Sequence, residues 1–168
     1  MTPPSSRLRH LAAAALTVLT LTSCGFHLRG PQPLAFATLY VSANQYSDLG
    51  AALRRQVTLS GSTKVEENEA MADARLQILT NERSREILSL NASGKVREYE
   101  LGQRIRFRVL SKTNEELIPP TNLTARREYT FNDEQILGKE QEEALLYRDM
   151  ETDLIQQLMR RLAAWQRP

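Results

Sequence analysis

The chain has 168 residues, with 22 Lys+Arg against 20 Asp+Glu, two histidines and one cysteine. A charge this close to balance argues against a general nucleic-acid binder, whose affinity rests on surplus cationic side chains. One cysteine leaves no intrachain disulfide, so the fold must be held by an apolar core.

Residues 1–23 read as a leader. Arg7 and Arg9, with His10, make a positive start, and Leu11 to Leu21 is apolar. That run is about 11 residues, against the roughly 20 that span a bilayer as a helix, so it targets rather than crosses. Leu21, Thr22 and Ser23 then precede Cys24. Small residues let the scissile bond enter a narrow peptidase site, and the cysteine thiol carries a lipid. We expect cleavage before Cys24, with a diacylglycerol and an N-acyl chain on that residue anchoring the chain to a membrane. Without the leader, which holds Arg7 and Arg9 but no carboxylate, 20 basic residues face 20 acidic ones. Gly30, Pro31 and Pro33 break regular structure, which marks 24–33 as a tether and 34–168 as a single α+β domain.

Within the domain, Leu34 to Ala43 reads as a strand. Ser47 or Asp48 can cap a helix with Leu49, Ala52, Leu53 and Val57 at helical spacing, Arg54 and Arg55 outside, and Gly61 as its stop. Lys64 to Ala70 reads as an acidic loop. A long strand from Ala74 to about Asn91 then turns through Ala92, Ser93 and Gly94 into a second. On that second strand Tyr99, Leu101, Ile105, Phe107 and Val109 share one face, and Glu98, Glu100, Arg104, Arg106 and Arg108 the other. A turn centred on Ser93 and Gly94 pairs Leu88 with Tyr99, Thr80 with Phe107 and Ile78 with Val109. Glu82, Ser84 and Glu86 then fall on the apolar face, so a bulge, or an edge that leaves the core, is required. Asn114 to Glu116 and Pro119-Pro120 mark a connection, after which Leu123 to Phe131 alternates as a last strand. A helix follows Asp133 and extends to about Trp165. Its inner face holds Ala144, Tyr147, Leu154, Leu158, Leu162 and Trp165, with Met150 and Ile155 beside them. The economical packing is α+β, two helices on one face of a four-stranded, mostly antiparallel sheet.

Catalysis has little footing. His10 lies in the leader and His27 three residues from Cys24, and no phosphate loop, metal-ligand spacing or nucleophile elbow occurs. Carboxylate pairs such as Glu66-Glu67 and Glu142-Glu143 are the solvated charges of turns and helices. A non-enzyme is expected, with no metal and no cofactor beyond the lipid. Cations are the better lead. Arg104, Arg106 and Arg108 line one strand face, Arg126 its neighbour, Lys95 and Arg97 the hairpin tip, and Lys139 follows the last strand. Guanidinium forks suit phosphate, but the strand-face arginines can equally pair with Glu98, Glu100 or Glu128.

Cys24-Gly25-Phe26-His27-Leu28-Arg29-Gly30 resembles the mature start of the LptE family of lipopolysaccharide-assembly lipoproteins. Gly94 with Glu98-Tyr99, and the junction from Phe131 to Lys139, echo it further. The resemblance implies two helices on a four-stranded sheet and a non-enzymatic role. In that role the protein plugs the outer-membrane barrel LptD, supports its assembly and contacts lipopolysaccharide. It also implies outer-membrane sorting, through Gly25, to a lipid-anchored place on the periplasmic face. Its lipopolysaccharide contacts fall at the hairpin tip, where this chain has Lys95 and Arg97, and at the last helix, where it has Lys139. Arg104, Arg106, Arg108 and Arg126 become candidates for the barrel interface. The alternatives are an envelope lipoprotein that binds another anionic ligand, or a ligand-free structural subunit of another envelope complex. Cys24→Ser is expected to abolish labelling with radioactive palmitate in cells; a variant that still takes up label refutes acylation at this position.

Overall fold

Three strands with alternating side chains and two helices with apolar residues three and four apart bury one common core. The computed structural model describes residues 33–132 and 135–166, so the expected leader, Cys24 and nearly all of the tether lie outside the described residues. β1 (Thr38–Val41) leads into α1 (Asp48–Leu59), where Ser47 Oγ accepts from Gly50 N at 3.1 Å and caps the first turn. Leu49, Leu53 and Val57 are buried and the helix stops before Gly61, as their spacing predicts. Arg54 departs from expectation. It turns inward and donates to the carbonyls of Val41 (2.8 Å), Ala43 (3.0 Å) and Gly50 (3.2 Å). Those of Val41 and Ala43 lie at the end of β1, where a backbone acceptor needs a donor from some source.

The sheet has five strands rather than four. Part of the expected acidic loop forms β2 (Lys64–Val65), parallel to β1 through Thr38↔Lys64 and Leu39↔Val65. Two residues are too few to show an alternation. The others are β3 (Ala74–Leu90), β4 (Val96–Ser111) and β5 (Glu116–Thr130), in the order β2-β1-β3-β4-β5. β1 is parallel to both its neighbours, while β3, β4 and β5 are antiparallel, so the sheet is mixed.

The hairpin register differs from the expected pairing, with Ile78↔Phe107, Thr80↔Arg106 and Ile87↔Tyr99. Leu79 is an extra residue on β3, and its bulge reverses the faces. Before it, Ala74, Leu76 and Ile78 face the core. Beyond it Arg83 and Arg85 take the helix side, and Glu82, Ser84 and Glu86 move to the outer face across from Arg104, Gly102 and Glu100. The conflict in the sequence is thus relieved by a bulge just ahead of the acidic stretch. β5 also begins earlier than expected, so Pro119 and Pro120 lie inside it. An edge strand tolerates them because one row of its N–H groups serves no ladder.

α2 (Ile136–Ala164) is anchored over its second half only. Met150, Leu154, Ile155, Leu158 and Leu162 are buried, and Trp165 stacks on Phe36 at 4.8 Å. No residue before Met150 is buried, and Ala144, expected on the inner face, is exposed. The helical period continues there, with only Leu146 and Tyr147 packed half-buried against the core. Both helices cover one face of the sheet, the α+β arrangement expected. Leu158→Ala is expected to cost about 2–5 kcal/mol in urea unfolding, and Leu137→Ala, 78% exposed, under about 0.5 kcal/mol. Equal losses would contradict the half-anchored helix.

Candidate functional site

The end of the molecule distal to β1 is built by the β3–β4 turn. Asn91 Oδ1 accepts from Ser93 N (3.0 Å), Ser93 Oγ (2.8 Å) and Lys95 N (3.0 Å), and Gly94 takes a φ of 76° that few other residues adopt. This fixes the backbone at Lys95 and Arg97. The Arg97 carbonyl in turn accepts from Phe131 N at 2.8 Å, which brings the end of β5, and with it the approach to α2, to the same end. Arg97 is exposed and makes no ion pair among the described residues. Lys139 is mostly covered, at 17% side-chain exposure, and its ammonium already holds Glu142 at 2.7 Å.

The outer face of the sheet, opposite the helices, is a lattice of charge. Arg104 meets Glu82 at 2.5 Å and Arg126 meets Glu100 at 3.0 Å. Arg108 donates to Gln77 at 2.8 Å and lies 3.7 Å from Glu116. Arg106 has no ion-pair partner among the described residues. At the centre sits Gly102, where a Cβ would come within 2.5 Å of Ser84 Oγ. The missing side chain leaves an open groove of about 360 Å³ bordered by Glu82, Glu86, Glu100, Arg104, Thr124 and Arg126. Pairing across the sheet is therefore the fate of Arg104, Arg108 and Arg126, with Arg106 left available. Exposed pairs of this kind add little stability, about 0–1 kcal/mol each. What they provide is a flat, hydrogen-bonding surface.

A second polar layer, not anticipated from the sequence, lies between β3–β5 and the stretch of α2 from Glu143 to Asp153. Arg83 pairs with Glu151 (3.2 Å) and stacks on Tyr147, whose hydroxyl donates to Ser84 O (2.8 Å). Arg85 pairs with Glu143 (3.1 Å), which also accepts from Tyr129 Oη (2.7 Å). Arg127 pairs with Asp153. Gln103, 1% exposed, donates to Asn81 (2.9 Å) and leans toward Glu151 (3.4 Å). The hydrogen bond to Glu143, and then its charge, raise the Arg85 pKa. Burial first, then Glu143, push the Tyr129 phenol well above its usual range, so it stays a donor. Burial likewise raises Tyr147. The available signal was Gln103, the one polar residue in an otherwise apolar row.

Among the described residues no group of His, Cys, Asp and Glu could hold a metal, and no helix is long and apolar enough to cross a membrane. The architecture is that of a bacterial lipoprotein domain. It is similar to the solution structure of an uncharacterized lipoprotein B from Nitrosomonas europaea, 37% identical with a TM-score of 0.69, covering 83% of this chain and 91% of that one. The rare lipoprotein B of Shewanella oneidensis is also similar, 26% identical with a TM-score of 0.65, over 76% and 94% of the two chains. The chain belongs to the LptE family, described as lipopolysaccharide-assembly, whose model matches residues 36–162. The LPS-assembly lipoprotein LptE of Pectobacterium atrosepticum is 31% identical over 150 residues, 88% of this chain and 80% of that protein. That of Yersinia enterocolitica is 30% identical over 88% and 72%. Members of this family are assembly lipoproteins, not enzymes.

An unfolded tyrosine ionises near pH 10, whereas Tyr129 keeps its proton well above that. The contribution of Tyr129 is therefore complete below about pH 10 and declines as pH rises from there toward the folded value. Tyr129→Phe is expected to lose about 1 kcal/mol at neutral pH and to show a shallower alkaline decline in urea midpoints. An unchanged alkaline slope would contradict this.

Proposed function

We propose that the chain is an outer-membrane lipoprotein, anchored on the periplasmic face through acyl chains on Cys24. Its folded domain seats as a plug in the LptD barrel, supports the assembly of that barrel and contacts lipopolysaccharide in transit. The observation that carries this reading is the outer sheet face. A face of β-sheet covered by neither helix nor apolar side chains, and laced instead with Arg104–Glu82 and Arg126–Glu100, fits a wet, polar wall. The interior of a large barrel is such a wall. The family assignment and the relatives' name, LPS-assembly lipoprotein, support the same reading.

For lipopolysaccharide, the distal end gathers cations where phosphate groups could be met by charge-assisted hydrogen bonds. Arg97 is the stronger contact, because its guanidinium is exposed and has no carboxylate to leave. Lys139 must first release Glu142. Lys95 stands beside Arg97 at the turn.

Purification of the tagged lipoprotein from outer membranes in mild detergent should recover a large, heat-modifiable barrel in near-equal amount. Recovery of the lipoprotein alone would sink the plug reading. Arg97→Glu is expected to weaken lipopolysaccharide binding about tenfold, equivalent to about 1.4 kcal/mol, and Lys139→Glu by less. Binding left intact by both would remove the lipopolysaccharide contact from this end.

A further inference from the structure

β1 accompanies β3 for a short distance only. Their ladder ends at Val41↔Leu76, with Ser42 N donating to Leu76 O (2.9 Å) and Ser42 Oγ accepting from Ile78 N (3.1 Å). Beyond that point β3 pairs with β4 alone. Between the bulge at Leu79 and the irregularity after Ile87, the run Thr80 to Ile87 holds one register against Arg106 to Tyr99. The other side of this run has no strand neighbour among the described residues. Asn81 to Leu88 are all exposed, whereas Leu101, Gln103 and Ile105 opposite them are buried. The run Thr80 to Ile87 holds no proline, glycine or lysine to blunt its edge, and the prolines of β5, Pro119 and Pro120, lie outside the stretch Asn122 to Tyr129 that faces this half across β4. Among the described residues the one side chain bonded to its backbone is Tyr147, at Ser84 O.

We infer that the free edge of β3 from Thr80 to Ile87 is a docking site for an extended strand of the barrel protein, bearing a Lys or Arg beside Glu86 on the outer face. The choice of a protein strand rests on the plug reading above; the choice of edge and charge rests on this geometry. A regular edge offers one row of backbone donors and acceptors, and an added strand satisfies them.

Charge selects the occupant. Glu86 is exposed and unpaired among the described residues, and it heads a cross-strand row with Glu100 and Glu128. Arg126 compensates Glu100 alone. A basic side chain on a strand outside β3 would stand directly beside Glu86, where opposite charges favour the pair. A second copy fits poorly. A two-fold axis that keeps both sets of helices on one side pairs residues of equal parity. Centred on Ser84, it sets Glu82 against Glu86 and Arg83 against Arg85; centred on Arg85, it sets that residue against itself.

The test is hydrogen exchange on the full lipoprotein complex purified from outer membranes, compared with the same chain freed of its partner. Amides within Thr80–Ile87 are expected to slow at least tenfold in the complex, while the free edge of β5 changes little. Glu86→Lys is expected to weaken the complex about tenfold, and Glu67→Lys, in the exposed loop after β2, to leave it unchanged. A complex that forms with the β3 amides exchanging as in the free chain overturns this inference and leaves the plug reading standing. Protection already present in the freed chain, with a dimer mass by light scattering, overturns it in favour of a second copy. Failure to recover any barrel overturns both.

Discussion

β4 is the strand on which the molecule depends. It is paired along its length on both sides, by β3 and β5, and its two faces meet different surroundings. Leu101, Ile105, Phe107 and Val109 are buried beneath the helices, and Arg104 and Arg106 stand in solvent. A strand whose side chains alternate cannot slip by one residue without burying guanidinium groups and exposing that apolar row. Every other adjustment in the sheet is made around it. Leu79 bulges out of β3 and the β5 register shifts beside Phe107 and Val109, while β4 keeps its alternation from Tyr99 to Val109; its own irregularity, the extra residue Arg97 between Val96 and Glu98, falls at the tip.

The hairpin also outruns the core that supports it, and chemistry changes along its length. Near β1 the helices meet it through Leu53, Leu154 and Leu158, the usual currency of burial. Toward the tip the contacts are Arg83–Glu151, Arg85–Glu143 and the hydroxyls of Tyr129 and Tyr147. Directional bonds of this sort set position more than they add stability. The first half of α2 is thus aligned over the hairpin with only Leu146 and Tyr147 reaching the core. Side chains can be held in place this way at an end where little apolar area is available.

How far the sequence carries depends on whether the deciding interaction is local. The alternation of β4, the turn at Asn91 to Gly94 and the Ser47 cap are local, and each is found where its residues predict. The bulge at Leu79 is not visible at Leu79 itself. It announces itself through Glu82, Ser84 and Glu86, which fit no unbroken register. Arg54 and Ala144 mislead because helical spacing reports an angle and not what lies along it. At the surface, Glu100, expected to pair with an arginine of its own strand, is held by Arg126 of the next one. The partners of Arg104 and Arg108, Glu82 and Glu116, depend on registers that only the folded sheet defines. For Arg97 and Lys139 the sequence marks the cations, and the fold distinguishes an open one from one already engaged.

Arg54 carries a consequence beyond α1. In β1 the carbonyls of Ala37 and Leu39 accept from Lys64 N and Glu66 N on the β2 side, while Ser42 N donates to Leu76 O of β3. Val41 and Ala43 continue the first row, so the guanidinium of Arg54 takes the acceptors on which β2 would lengthen. β2 ends after two residues, and beyond it a side chain from another layer completes the row in its place. A shorter side chain at position 54 would leave those carbonyls to water or to a longer β2. That margin of the sheet is in this sense finished by a helix, where selection could tune it without touching either strand.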